Sequence, residues 1–186
     1  MLTATDPLPA RPARVLVAGV SGSGKTTLAA RVGAVLGIPH TEIDSLFHGP
    51  DWTPRPSLEV EVDAFTSEPS WVTEWQYSSV RPLLAERADT LLWLDLPYPL
   101  VFTRVLRRTL RRRLRREVLW NGNVEGPLRT FFTDPEHVVR WSISTRKLYR
   151  DRIPALVVAH PQLTVVRLRR RRDVDHWLRE VLQPLA

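Results

Sequence analysis

The chain has 186 residues, 43% of them hydrophobic, which suits one domain with a buried core and is too few for two ordinary ones. It contains no cysteine, which excludes disulfides, thiolate metal sites and cysteine nucleophiles. The net charge is +7; Lys25 and Lys147 are the two lysines, and the other 25 of the 27 basic residues are arginines, a balance that favours anionic partners.

Residues 1–12 are rich in Pro, Ala and Thr and lack the apolar core of a leader, so a flexible tail is expected ahead of a single domain over 13–186. No apolar stretch is long enough to span a bilayer, and a soluble, cytoplasmic protein is the expectation. The apolar run 13–18 reads as a buried strand. Residues 19–26 then read Gly-Val-Ser-Gly-Ser-Gly-Lys-Thr, a complete G-x-x-x-x-G-K-[ST] pattern, and 25–36 has the apolar spacing of a helix. Strand, glycine loop and helix together form a phosphate-binding unit. Gly19, Gly22 and Gly24 permit backbone angles that turn successive N–H groups inward, with Ser21 and Ser23 between them. The helix N-terminus adds unpaired N–H groups and a positive dipole end. Lys25 is expected to reach the β- and γ-phosphates, Thr26 to hold Mg²⁺ and Thr27 to touch the α-phosphate.

Gly37 and Pro39 end the first helix. A short strand over 39–43 should end at Asp44, followed by a loop over 45–56 ordered by Phe47 and Trp52. A helix over 57–67, a strand over 71–75, a short helix over 80–87 and a strand over 90–95 come next. A long helix spans 98–116, and 117–135 is irregular with turn signals at Asn121-Gly122-Asn123 and Gly126-Pro127. A helix over 136–152, a strand over 163–168 and a helix over 173–182 complete the chain. Alternating strands and helices imply a parallel sheet covered on both faces, with ligands at the C-terminal strand ends. The loop, Asp44, Glu74 and Asp95 should therefore gather at one edge.

Neither lysine follows an asparagine, so the Asn-Lys-x-Asp guanine-reading motif is absent and ATP is the expected nucleotide. The loop GVSGSGKTTLA, the stretch His40 to Phe47, Trp52 before a proline, Trp71 to Tyr77 and Ala88 to Pro97 resemble adenylate-kinase-related P-loop proteins. More narrowly they resemble the group labelled topology modulation protein, or FlaR-like, over about 13–182. The resemblance implies an α/β P-loop three-layer sandwich with a five-stranded parallel sheet, order 2-3-1-4-5, and a helical, arginine-bearing lid over about 104–135. It implies ATP and Mg²⁺ as cofactors and a small-molecule phosphoryl acceptor, as in nucleoside monophosphate kinases, without naming that acceptor.

Asp44 reads as a general base or hydroxyl positioner, or else as a cap on the following turn. Glu74 and Asp95 both end strands, and either suits the acid that holds Mg²⁺. Related proteins usually end the strand before Tyr77 in Asp-Gly, where this chain has Glu74-Trp75. Arg104, Arg108 and Arg112 share one helix face, and arginine forks stabilise the charge of a transferring phosphoryl group. Arg104 and Arg108 are the leading candidates. Arg81 and Tyr77 are assigned to the acceptor site, and Arg169 to the adenine-side loop after the last strand. Trp52, Trp75 and Trp120 are candidates to stack on a base or an acceptor. The rival reading is a nucleic-acid-associated ATP-binding protein using Arg111 to Arg116, or a nucleotide binder without kinase activity. Monomer and homodimer both remain open.

Overall fold

The structure is a computed structural model, and it describes residues 1–124, 144 and 147–186. Four parallel strands form the sheet: β1 (Arg14–Gly19), β2 (Trp71–Glu74), β3 (Thr90–Leu94) and β4 (Thr164–Leu168), in the order β2-β1-β3-β4. Their register aligns Val17 with Glu74, Gly19 with Leu94, and Leu94 with Leu168. The C-terminal ends of all four strands, and the loop that leaves β1, therefore share one edge.

Strand alternation divides the core between the two faces. Leu16 and Ala18 of β1 point to one side, packed with Leu91, Val165, Trp71, Leu84 and Ile153. Val15 and Val17 point to the other, packed with Leu28, Val32, Leu92, Val166 and Trp177. The helices follow this division. On the first face lie α3 (Leu58–Thr66), α4 (Arg81–Arg87) and α6 (Leu148–Ala159). The other face carries α1 (Lys25–Leu36) and the C-terminal segment, formed by α7 (Arg171–His176) and a π-helical stretch, Trp177–Leu182. Between them in the chain come α2 (Ile43–Phe47) and the long α5 (Tyr98–Arg115).

The expected fifth strand, over 39–43, does not form. His40 makes a single parallel bridge with Val72, through Thr41 N–H to the Val72 carbonyl and Val72 N–H to the Pro39 carbonyl. Pro39 has no N–H to extend the ladder, and the Thr41 carbonyl accepts the Thr73 hydroxyl at 2.7 Å. The chain then turns into α2, whose first N–H, on Ile43, donates to the Glu74 carboxylate at 3.1 Å. The bridge lies beside β2, where the fifth strand was expected, and the other four keep the expected order. A second departure lies within 45–56, expected as loop: α2 covers its first residues, up to Phe47.

The expected helix over 136–152 falls largely outside the described residues; α6 starts at Leu148 and continues to Ala159. The lid expected over 104–135 is described as far as Val124. At the N-terminus, Leu2 pairs with the open edge of β4, its N–H donating to Val165 and its carbonyl accepting from Arg167. Among the described residues no helix is long and apolar enough to cross a membrane.

Candidate active site

The phosphate loop leaves β1 at Gly19 and enters α1 at Lys25. Gly22 and Gly24 have φ of +79° and +97°, the left-handed region that other residues rarely occupy. A Cβ at Gly22 would strike the Val105 side chain and stand 3.0 Å from the Val101 carbonyl, so α5 lies directly against the loop. That packing carries two arginines onto it. Arg104 donates to the Ser23 carbonyl at 3.4 Å, and Arg108 donates to the Ser21 hydroxyl at 3.3 Å. Of the same helix face, Arg112 and its neighbour Arg111 instead approach Glu117, at 3.8 and 3.0 Å.

Two features of the loop fit a polyphosphate. The Ser23 hydroxyl is buried and has no hydrogen-bond partner among the described residues. Among the described residues the Lys25 ammonium makes one long hydrogen bond, 3.5 Å to the Val20 carbonyl of its own loop. Burial pushes Lys25 below the ordinary lysine range; Asp44 and then Glu74 pull it back, and Arg108 adds to the downward push. Three predicted site residues, two of them remote in sequence, thus act on the lysine.

Glu74 is almost wholly buried, and both its oxygens are engaged: Oε1 lies 3.3 Å from His40 Nε2, and Oε2 accepts the Ile43 N–H. Burial opposes its ionisation, but His40, the Ile43 N–H and the Thr26 hydroxyl outweigh this and hold the carboxyl below its ordinary range. The Thr26 hydroxyl thus acts on the Glu74 carboxylate, and a hydroxyl with a carboxylate is the kind of oxygen pair that holds Mg²⁺ in phosphate loops. Asp95 has a different setting. Arg150 Nε donates to its Oδ1 at 3.0 Å, and Arg167 donates to its Oδ2 from Nε at 3.0 Å and from Nη2 at 2.5 Å. Arg167 also lies over the Trp93 ring at 4.6 Å. Asp95 therefore clamps β4 and α6 to the end of β3.

Asp44 lies in the first turn of α2. Its Oδ1 accepts both the Gln76 amide at 2.8 Å and the Tyr77 hydroxyl at 2.6 Å; its Oδ2 accepts no hydrogen bond among the described residues. Burial and the Asp44 carboxylate push the Tyr77 phenol far up, so it stays protonated. Arg81 opens α4 with its guanidinium 5.9 Å from the Trp75 ring, and the Trp75 indole N–H donates to the Arg81 carbonyl. Trp75 is thereby part of the core. Trp52 and Trp120 instead meet each other, 6.4 Å apart, on either side of His48. Arg169 follows β4 with its backbone N–H on Asp173 Oδ2 at 3.1 Å, and its side chain is exposed. Thr27, also exposed, starts the outer side of α1.

Several residues of the site gave no sequence signal. Tyr149 of α6 donates to the Trp75 carbonyl at 3.1 Å, and burial pushes its phenol up to about 12, Arg81 opposing and Asp44 adding to the shift. It lines a cavity of about 260 Å³ with Val20, Asp95, Tyr98, Lys147 and Arg150. His40 and His48 stand alone in the sequence, at no metal-site spacing. The fold gives them partners: Glu74 of β2 for His40, and Tyr77, Trp52 and Trp120 for His48. Among the described residues no group of three metal-ligating side chains occurs.

No protein-family model matches the chain, and no curated protein matches it. Solved structures do. A gluconokinase from Sinorhizobium meliloti 1021 matches with a TM-score of 0.51 at 19% identity, over 93% of this chain and 91% of its own. A shikimate kinase from Bacteroides thetaiotaomicron matches with a TM-score of 0.50 at 16% identity, over 94% of this chain and 98% of its own. At such identities the likeness establishes the fold alone: a parallel α/β sheet with helices, resembling that of these two kinases.

Proposed function

We propose that the chain is a kinase that transfers the γ-phosphoryl group of ATP to a hydroxyl of a small molecule. The observation that carries this reading is the convergence on one loop. Arg104 and Arg108 reach Ser23 and Ser21 from α5, while the Asp44 and Glu74 carboxylates act on Lys25 electrostatically. MgATP supplies the electrophilic phosphorus and a diphosphate leaving group. The backbone N–H groups of 19–26 and the Lys25 ammonium bind its phosphates, and Thr26 with Glu74 holds the metal. Arg104 and Arg108 face the equatorial charge that develops during transfer. The open Oδ2 of Asp44 orients the acceptor hydroxyl and takes its proton. Arg81 and Tyr149 are assigned to the acceptor side, and Arg169 to the adenine side. The names of the two structural neighbours, a gluconokinase and a shikimate kinase, support an acceptor that is a small hydroxyl compound. Membership of the topology modulation group is compatible with this chemistry, since that group leaves the acceptor open.

An acceptor screen tests the proposal. Purified protein with MgATP is incubated with sugars, sugar acids, other alcohols and nucleoside monophosphates, and ADP release is read for wild type and Lys25→Ala. The expected result is acceptor-dependent ADP release that Lys25→Ala lowers by about 10²–10³-fold. Slow hydrolysis that no acceptor stimulates would instead identify a nucleotide binder without kinase activity. Binding of duplex DNA that weakens steeply with salt and depends on Arg111 to Arg116 would identify the nucleic-acid reading.

A further inference from the structure

Two loops from distant parts of the chain are clasped together over the acceptor side. One runs 48–54 and closes on itself through a bridge between His48 and Pro54; the other runs 118–124 and closes through Val118 and Val124. Each contains a tight turn with positive φ at non-glycine residues: Asp51 and Trp52 in the first, Asn121 in the second. The clasp is polar at its rim and aromatic at its centre. Asn121 Nδ2 donates to the His48 carbonyl and Asn123 Nδ2 to the Gly49 carbonyl at 2.8 Å. In return the Trp52 N–H donates to Asn123 Oδ1 at 3.0 Å. Between the loops the His48 ring stacks on Trp120, centroids 5.6 Å apart and planes 23° apart, and meets Trp52 edge-on at 5.1 Å. Arg112 of α5 lies 5.9 Å from the same Trp120 ring.

His48 does not end at the clasp. Its Nε2 lies 3.3 Å from the Tyr77 hydroxyl, and that hydroxyl donates to Asp44 Oδ1 at 2.6 Å. Tyr77 stacks on Phe47, centroids 3.8 Å apart, and its left-handed backbone, φ +56°, holds the ring across α2. A phenol has one proton. If Asp44 receives it, the Tyr77 oxygen must accept from His48, so His48 carries its proton on Nε2. Among the described residues its Nδ1, buried, has no hydrogen-bond partner, as a bare lone pair would be.

We propose that His48 and Tyr77 are positioning residues that transmit docking of the 118–124 loop to Asp44. With the loop docked, Trp120 fixes the His48 ring, His48 Nε2–H fixes the Tyr77 hydroxyl, and that hydroxyl pins Oδ1 so that Oδ2 faces the acceptor. With the loop undocked the ring loses its platform and the carboxylate loses its pin. The acid is then set for proton transfer only under a closed lid, when water is excluded. The role of Asp44 rests on the kinase reading above; the chain of contacts does not.

The test therefore begins without any acceptor. Long-range ¹H–¹⁵N NMR of the full chain is expected to show His48 as the neutral Nε2–H tautomer. Trp120→Ala, which removes a ring that stacks on His48, is expected to move the His48 ring signals and also the ¹³Cγ resonance of Asp44, in the direction that Tyr77→Phe moves it. Asn121→Ala, which releases only the amide clip to the His48 carbonyl, is expected to do the same to a smaller extent and guards against misfolding in the tryptophan variant. An Nδ1–H tautomer, or an Asp44 signal that responds to Tyr77→Phe and to neither loop variant, overturns the proposal. With an acceptor from the screen, His48→Leu should lower kcat about tenfold, the worth of one hydrogen bond, at unchanged KM for ATP. His48→Gln keeps a donor near Nε2 and should recover most of the loss; equal losses in the two variants overturn the proposal too. Failure to find any acceptor would count against the kinase reading and leave the NMR result intact.

Discussion

The donor and acceptor sides of the cleft are built differently. The proposed donor side is contiguous: eight residues, 19–26, run from the end of β1 into the first turn of α1, and in that reading their backbone binds the phosphates. The acceptor side is assembled from side chains that meet only in the fold, such as Asp44 with Gln76 and Tyr77, or Trp52 with Asn123, 71 residues away. A backbone site depends on local conformation, which a short sequence pattern specifies. A side-chain site depends on the packing of several elements, which no short pattern specifies. Substitutions should therefore act locally and severely on the donor side, and through coupled partners on the acceptor side.

The largest effect is expected on the donor side. Lys25→Ala should lower ATP turnover by about 10²–10³-fold, the scale of losing one preorganised charge partner, while the thermal midpoint stays within a few degrees. Retained turnover, read as ADP release, would break the donor assignment. Next, Arg108→Ala should lower turnover by about tenfold or more through the same electrostatic term. Arg107→Ala, on the exposed side of α5, should change it little. Equal losses would mean that the helix contributes general charge rather than two aimed forks.

The comparison is sharpest at the two strand-end acids. Glu74→Gln should raise the Mg²⁺ concentration for half-maximal turnover by about tenfold or more. Asp95→Asn should leave that concentration unchanged and lower stability by about 1–3 kcal/mol, since two arginines lose a partner. Titrations of turnover against Mg²⁺ and denaturant melts separate the two, and the opposite pattern would move the metal to β3. The smallest effect is a pH limb. Glu74 is held below its ordinary value of 4.5 in the folded chain. The unfolded chain therefore takes up its proton first as pH falls, so the stability Glu74 contributes is present above about 4.5 and is lost as pH drops through the folded value. Urea melts between pH 6 and the acid limb should show a shallower decline for Glu74→Gln.

Much of the fold was legible. Apolar runs at 13–18, 71–75, 90–95 and 163–168 became the four strands, because residues buried on both faces leave a continuous signal. The run at 39–43 misled for a reason visible only in three dimensions: Pro39 and the Thr73 hydroxyl remove the groups that a fifth strand would pair. Glu74 and Asp95 were indistinguishable as strand ends. Their partners come from α2 and the adjacent His40 in one case and from α6 and β4 in the other, so position in the chain carried no information about which carboxylate was already taken.

By itself the sequence determined that β1 delivers a phosphate loop to α1, that the sheet is parallel, and that acids and arginines collect at its C-terminal edge. These follow from glycine geometry and from hydrophobic period, both local properties. Only the tertiary structure decided that Arg111 and Arg112 turn to Glu117 instead of the loop, which acid the Thr26 hydroxyl acts on, and that His48, Tyr77 and Trp120 lead to Asp44. Those depend on the packing of α5 against Gly22 and of one loop against another, and contact between distant segments is set by the whole core rather than by any stretch of chain.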